Sequence, residues 1–120
     1  MSDEKPTEPE AALARLLDIM ARLRDPQSGC PWDVKQTMQS LTRYTIEEAY
    51  EAVDAIERGA PDEIKDELGD LLFQIVFYAQ IGNESQQFDF TDIANAISDK
   101  MVRRHPHVFG EASTDDAGLA

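Results

Sequence analysis

Glu47, Glu48 and Glu51 are followed by Glu67 and Asp70, in two segments that read EExxE and ExxD. Spacings of three and four place each group on one face of a helix. Carboxylates gathered in this way can hold a hard divalent cation. All-oxygen donors suit Mg2+, Mn2+ or Ca2+ rather than zinc. One residue in five of this chain is acidic, with 24 acids in 120 residues, so a solvated acidic face accounts for the spacing equally well.

Three features favour convergence over a solvated face. The two segments flank Gly59 as the arms of a helical hairpin. Glu48 and Asp70 each lie eleven residues from Gly59, and Glu51 and Glu67 each lie eight. At a rise of about 1.5 Å per residue, antiparallel pairing brings these four to matching heights. Packed helices stand about 8–10 Å apart, so inward side chains from both arms can share one ion or a close pair. Second, Glu47/Glu51, Glu63/Glu67 and Asp66/Asp70 are like charges at i, i+4. Each such pair costs about 0.2–0.5 kcal/mol in an isolated helix, and only Arg43, four residues before Glu47, offers obvious relief. Third, the acids abut Leu68, Leu71 and Leu72, where partial desolvation makes an unneutralised cluster costlier. A di-iron carboxylate bundle needs Glu-x-x-His motifs, and the only histidines are His105 and His107. There is no EF-hand loop, no P-loop and no Cys/His zinc spacing.

The second chemical cluster is basic. Lys100, Arg103 and Arg104 stand at i, i+3, i+4, three of the chain's eleven bases within five residues. They read either as a phosphate clamp or as cations placed favourably at a helix C-terminus. Trp32, the only tryptophan, either stacks on a nucleobase or anchors its polar loop to the body. Asp33 and Lys35 either cap the helix that follows or touch a ligand. His105 and His107 flank Pro106 and read as structural, capping a helix or bonding a carbonyl. Cys30 has no histidine near it in sequence and reads as an inert thiol.

These groups must be positioned by helices, since alternating apolar/polar runs are missing and helical spacing is frequent. The fold class is all-α, a four-helix, bundle-like module. The first helix runs from about Glu10 to Arg24, with Leu13, Leu16, Leu17, Met20 and Leu23 on one face, and Asp25-Pro26 ends it. Residues 25–34 form a Pro- and Gly-rich loop. The second helix starts near Lys35 or Leu41, with Ser40 or Thr42 as cap, and Gly59 stops it after Arg58. Pro61 opens the third, with Asp62 and Glu63 at its positive end, and it runs to about Ile81, before Gly82-Asn83. The fourth runs from about Phe90 to His105, capped by Asp89 or Thr91 and ended by Pro106. The stretch LLFQIVFYAQI (71–81) is apolar nearly all round. It needs cover on several sides, which predicts a dimer or larger oligomer. Residues 1–9 read as a disordered tail, 10–110 as the domain, and 111–120 as a flexible acidic tail.

With 24 acids against 11 bases the formal net charge is −13. Such a surface repels nucleic-acid polymers and anionic membranes, but admits a small anion arriving with a cation and meeting a local basic patch. No apolar run approaches a membrane span or a signal peptide's core. The single cysteine suits a reducing compartment, so the expected location is the cytoplasm.

Across roughly residues 13–110 the chain resembles the MazG-type nucleoside triphosphate pyrophosphohydrolases of the all-α NTP pyrophosphatase superfamily. The resemblance is carried, in order, by LLDIMARLRDPQSGCPWDVKQT, YTIEEAYEAVDAIERG, DELGDLLFQIVFYAQI and SDKMVRRHPHVFG. It implies that Glu48, Glu51, Glu67 and Asp70 hold Mg2+, with Mn2+ as a substitute. Glu47 then lies beside them, and Glu47 or Glu48 activates the attacking water. It implies hydrolysis of nucleoside triphosphates between the α and β phosphates, yielding monophosphate and pyrophosphate. Under it, Lys100 and Arg103 clamp phosphate, and Arg104 does so or bridges to another subunit. Family members assemble as dimers or tetramers, so a homodimer or homotetramer is expected here. Many members carry two such modules in tandem. This chain carries one, either as a natural single-module protein or as an excised domain. A non-catalytic helical module that binds metal or nucleotide is the competing reading.

Overall fold

A computed structural model describes residues 5–110. The expected tails fall partly outside it: positions 1–4 and 111–120 lie beyond the described residues. Among the described residues six helices follow one another: α1 (Pro9–Leu23), α2 (Pro31–Lys35), α3 (Met38–Arg58), α4 (Pro61–Glu84), α5 (Phe90–Arg104) and α6 (Pro106–Phe109). No strand occurs among the described residues, as the missing alternation predicts.

The ends of these helices show why they form where they do. Pro9, Pro31, Pro61 and Pro106 each occupy the first turn, where their fixed φ costs nothing and their missing N–H is not needed. After α1 the Asp25 carboxylate accepts from the backbone N–H groups of Gln27 (2.9 Å) and Ser28 (3.0 Å). Those bonds, Ser28 first, hold its pKa below the usual carboxylate value. The start of α3 is resolved one turn from either expected position. Thr37, rather than Ser40 or Thr42, is the cap, and Ser40 answers as its reciprocal partner in a capping box. Gly59 ends α3 in the left-handed region at φ 79°, turning the chain into α4. Asp89 caps α5 in a second box with Asp92.

Two elements differ from expectation. The loop 25–34 contains the start of α2, and α4 runs on to Glu84 instead of stopping at Ile81. Gly82 is not a stop signal. It is buried within α4, and a Cβ there would come within 2.6 Å of the Phe88 ring. The glycine is present so that the returning 85–89 connection can lie against the helix.

The hairpin of α3 and α4 is the main packing unit, and α1 and α5 lie on α4. Met20, Leu41, Val76 and Phe77 are fully buried, with Leu16, Leu17, Tyr44, Phe73, Tyr78, Ile81 and Phe90 around them. One side of the hairpin is uncovered: Ile46, Tyr50 and Val53 on α3, and Leu72 and Ile75 on α4, are exposed. The radius of gyration is 17.5 Å, against about 14 Å for a compact chain of this length. The helices therefore do not close into a tight bundle. No described helix is long and apolar enough to cross a membrane.

Candidate metal centre

The Gly59 turn sets the register of the hairpin, and that register decides which acids meet. Glu48 from α3 and Glu67 and Asp70 from α4 each bring one carboxylate oxygen within 4.8 Å of the others. The oxygens Oε2 of Glu48 and Oε2 of Glu67 are shut off from solvent and have no hydrogen-bond partner. Asp70 is exposed. Glu51 is also exposed and stands outside the three converging oxygens, yet it is near enough for its charge to raise the Glu67 carboxyl. Of the four expected ligands, three therefore share one spot and the fourth adjoins it. Glu47 is exposed beside Glu48 on α3.

The electrostatics follow from this crowding. Burial pushes the Glu48 carboxyl above its usual value of 4.5, and the charges of Glu51, Asp70, Glu67 and Glu47 push it the same way. Glu67 is raised by burial, then by Glu51 and Asp70, with a small opposing pull from Arg58. No ion pair relieves the cluster among the described residues. Arg58 is occupied elsewhere: it bonds Asp54, and it donates to Glu63 from Nε (3.1 Å) and Nη2 (2.7 Å). Arg43, expected to relieve Glu47, instead donates to the Tyr44 hydroxyl at 3.2 Å and lies 5.0 Å from the Tyr44 ring centre. Buried carboxylate oxygens without donors are costly unless a cation or a proton answers them. Three hard oxygen donors at one spot fit Mg2+ or Mn2+ and do not fit a thiophilic metal.

The other candidate residues divide. Trp32 packs edge-on against Tyr44, with ring centroids 5.8 Å apart, and remains 49% exposed. Tyr44 is one turn before Glu48 on the same face of α3, and the indole packed on it keeps an open ring surface. Lys35 is exposed at the end of α2. Lys100, Arg103 and Arg104 are exposed on α5, and none pairs with the acids. His105 bonds the Met101 carbonyl through Nδ1 at 2.7 Å, the structural role its position suggests. Asp33, within α2, is buried.

Two features near the site have no counterpart in the spacing of residues. Arg24 donates from Nη1 to the carbonyls of Asp33 (2.8 Å), Val34 (3.1 Å) and Gln36 (2.9 Å), and pairs with Glu84 at the end of α4. It thereby closes α2 and fixes the segment that carries Trp32 and Lys35. The second is a buried polar group between the hairpin arms. The Thr45 hydroxyl reaches Gln74 Oε1 at 2.9 Å and the Tyr78 hydroxyl at 2.5 Å. The Arg24–Glu84 pair and the Thr45 bonds join residues about thirty to sixty positions apart, and only the folded register brings them together.

Comparison with known proteins supports the resemblance seen in the motifs. Residues 36–109 match the MazG nucleotide pyrophosphohydrolase domain. The chain is 58% identical over 103 residues to the nucleoside triphosphate pyrophosphohydrolase of Escherichia coli K12, a match covering 86% of this chain and 39% of that protein. It is 50% identical over 97 residues to the nucleoside triphosphate pyrophosphohydrolase/pyrophosphatase MazG of Thermotoga maritima, covering 81% of this chain and 38% of that protein. The Mycobacterium tuberculosis nucleoside triphosphate pyrophosphohydrolase is 40% identical over 109 residues, covering 88% and 34%. The chain thus spans well under half the length of these curated relatives. With the family match covering most of the sequence, and the acidic hairpin lying inside the matched segment, this chain belongs to the MazG nucleotide pyrophosphohydrolase domain family.

Proposed function

We propose that the chain hydrolyses nucleoside triphosphates, ribo- or deoxyribo-, to the monophosphate and pyrophosphate, with Mg2+ as the natural cation and Mn2+ as a substitute. The observation that carries this reading is the meeting of Glu48, Glu67 and Asp70 oxygens within 4.8 Å, where Glu48 and Glu67 each also hold a buried, unpartnered oxygen. Its relatives' names supply the reaction.

Glu48, Glu67 and Asp70 would hold the cation, with Glu51 completing the set from beside Glu67. A bound divalent ion neutralises phosphate oxygens and draws charge from the phosphorus under attack. Glu47 stands next to this group without being one of the converging oxygens, which leaves its carboxylate free to orient or deprotonate water; Glu48 is the alternative base. Lys100, Arg103 and Arg104 would supply cationic donors for phosphate oxygens, and Trp32 and Lys35 would contact the nucleotide from α2. The uncovered apolar side of the hairpin suits a second copy of the chain, in a homodimer or homotetramer. The competing reading, a non-catalytic nucleotide- or metal-binding module, draws on the absence of any ion pair between the basic cluster and the acids among the described residues.

The test is pyrophosphate release from a panel of NTPs and dNTPs, with Mg2+, with Mn2+ and with EDTA. Metal-dependent turnover that falls about a hundredfold or more in Glu51→Gln and Asp70→Asn, with the helical circular dichroism retained, is the expected result. No metal-dependent turnover across the panel would leave the binding module as the better description.

A further inference from the structure

Gln74 is a buried polar residue, 8% exposed, in the middle of the most apolar helix of the chain. A buried amide needs a reason, because each N–H or C=O left without a partner is costly. Half of the reason is visible. Oε1 accepts from the Thr45 hydroxyl at 2.9 Å, and Thr45 Oγ1 lies 2.5 Å from the Tyr78 hydroxyl. A threonine hydroxyl has one proton to give. With that proton on Gln74 Oε1, the bond to Tyr78 is donated by the tyrosine. The Leu41 carbonyl, 3.2 Å from the same hydroxyl, competes for that proton, but the shorter bond goes to Gln74, so donation runs chiefly from Tyr78 to Thr45 to Gln74 and favours one orientation of the amide. The two N–H donors of Gln74 Nε2 make no hydrogen bond among the described residues, and the atom is not among those shut off from solvent, so it is open to water or to a ligand.

The position of those donors gives them a use. Gln74 is one helical turn beyond Asp70 on α4, and Thr45 is one turn before Glu48 on α3. Residues at i, i+4 have Cβ atoms about 6 Å apart, so the amide adjoins the acidic centre along the inner seam of the hairpin. That centre is anionic, so a neutral group beside it faces a field that favours a donor over an acceptor. A triphosphate arriving at the carboxylates brings acceptor oxygens into the same seam.

We propose that Gln74 is a substrate-binding residue, whose Nε2 donates to a phosphate oxygen of the nucleotide, and that Thr45 and Tyr78 are positioning residues that fix its amide. This rests on the acidic centre being the nucleotide site. It goes beyond that reading by adding a neutral donor from within the core to the charged groups at the rim. The cation itself is held by the carboxylates, so Gln74 acts on nucleotide affinity and not on metal affinity.

The test uses two substitutions with opposite logic. Gln74→Met keeps length and loses both donors. Gln74→Glu keeps an oxygen for Thr45, loses the donors and adds a charge. Three quantities are read on the full chain: Mn2+ affinity by electron paramagnetic resonance, affinity of the Mn2+-loaded protein for a non-hydrolysable nucleoside triphosphate by calorimetry, and KM and kcat for pyrophosphate release. The expected result for Gln74→Met is unchanged Mn2+ affinity with nucleotide Kd and KM raised roughly tenfold or more. Gln74→Glu should bind nucleotide more weakly still. Recovery of wild-type nucleotide affinity in Gln74→Glu would overturn the proposal, since Gln74 would then serve only as an acceptor for Thr45. Unchanged nucleotide affinity in Gln74→Met would overturn it too. Should Gln74→Met fail to fold, Thr45→Val carries the test: release of the amide should raise the nucleotide Kd several-fold, and an unchanged Kd counts against the proposal. The calorimetry stands without turnover, so an inactive wild-type chain would refute the proposed reaction while leaving the role of Gln74 to be decided by binding.

Discussion

Glu48 and Glu67 face each other across the α3–α4 seam with one solvent-inaccessible, unpartnered carboxylate oxygen apiece. Two such acids oppose folding at neutral pH unless a cation lies between them. The metal-free protein should therefore gain stability when one charge is removed. Glu48→Gln is expected to raise the metal-free melting temperature by about 2–5 °C. Mg2+ should raise the melting temperature of the wild type and have little effect on the variant. Differential scanning calorimetry with EDTA and with Mg2+ checks both. A lower metal-free melting temperature in the variant would indicate that Glu48 is satisfied by the protein itself.

Arg24 and Glu84 behave in the opposite way with pH. The hydrogen bonds from Arg24 are the main reason that Glu84 titrates below its usual value of 4.5. A depressed folded-state value means that the bridge stabilises the fold above about 4.5 and stops doing so as pH falls through the lower value. Because Glu84 is 37% exposed, the contribution is less than about 1 kcal/mol. Urea denaturation should show Glu84→Gln less stable than wild type at pH 7, with the difference closing as pH falls toward about 3. A gap that widened on acidification would contradict the assignment.

Arg24 itself should matter more than its ion pair. Arg24→Met leaves the carbonyls of Asp33, Val34 and Gln36 without their donor. A loss of about 2–3 kcal/mol is expected, measured by the same denaturation. The fluorescence of Trp32 should report it locally, since α2 would lose its tether.

In the proposed homodimer or homotetramer, the apolar side of the hairpin would form the contact between copies. Val53 and Ile75 are half and more than a third exposed, at 50% and 37%. Val53→Lys with Ile75→Lys should convert the assembly to a monomer of 13.4 kDa by sedimentation equilibrium. A wild-type chain that is already monomeric at micromolar concentration would remove this part of the account.

The acidic site was largely legible in the sequence, because helical periodicity and one turn are local facts. Gly59 needs only its left-handed φ to reverse the chain, and equal residue counts on both sides then place Glu48 opposite Asp70. Glu51 shows the limit of counting: it matches Glu67 in height, but it points to the edge of the cluster, a matter of side-chain direction that residue counts do not carry. The true extent of α4 was hidden because Gly82 reads as a terminator, whereas its role depends on Phe88 packing against its Cα. Ser40 reads as a cap on its own, and only the reciprocal bond with Thr37 shows which of the two begins α3. The Arg24–Glu84 pair and the Thr45–Gln74–Tyr78 chain join distant residues, so no local pattern announces them.

Whether the three carboxylates form a cation site is the claim on which the rest depends, and Mn2+ binding followed by electron paramagnetic resonance tests it most directly. The wild type is expected to bind Mn2+ saturably, with competition by Mg2+. Asp70→Asn and Glu48→Gln should each weaken that binding by about tenfold or more while the protein stays helical. Saturable Mn2+ binding that both substitutions leave unchanged would contradict the account and place the cation elsewhere.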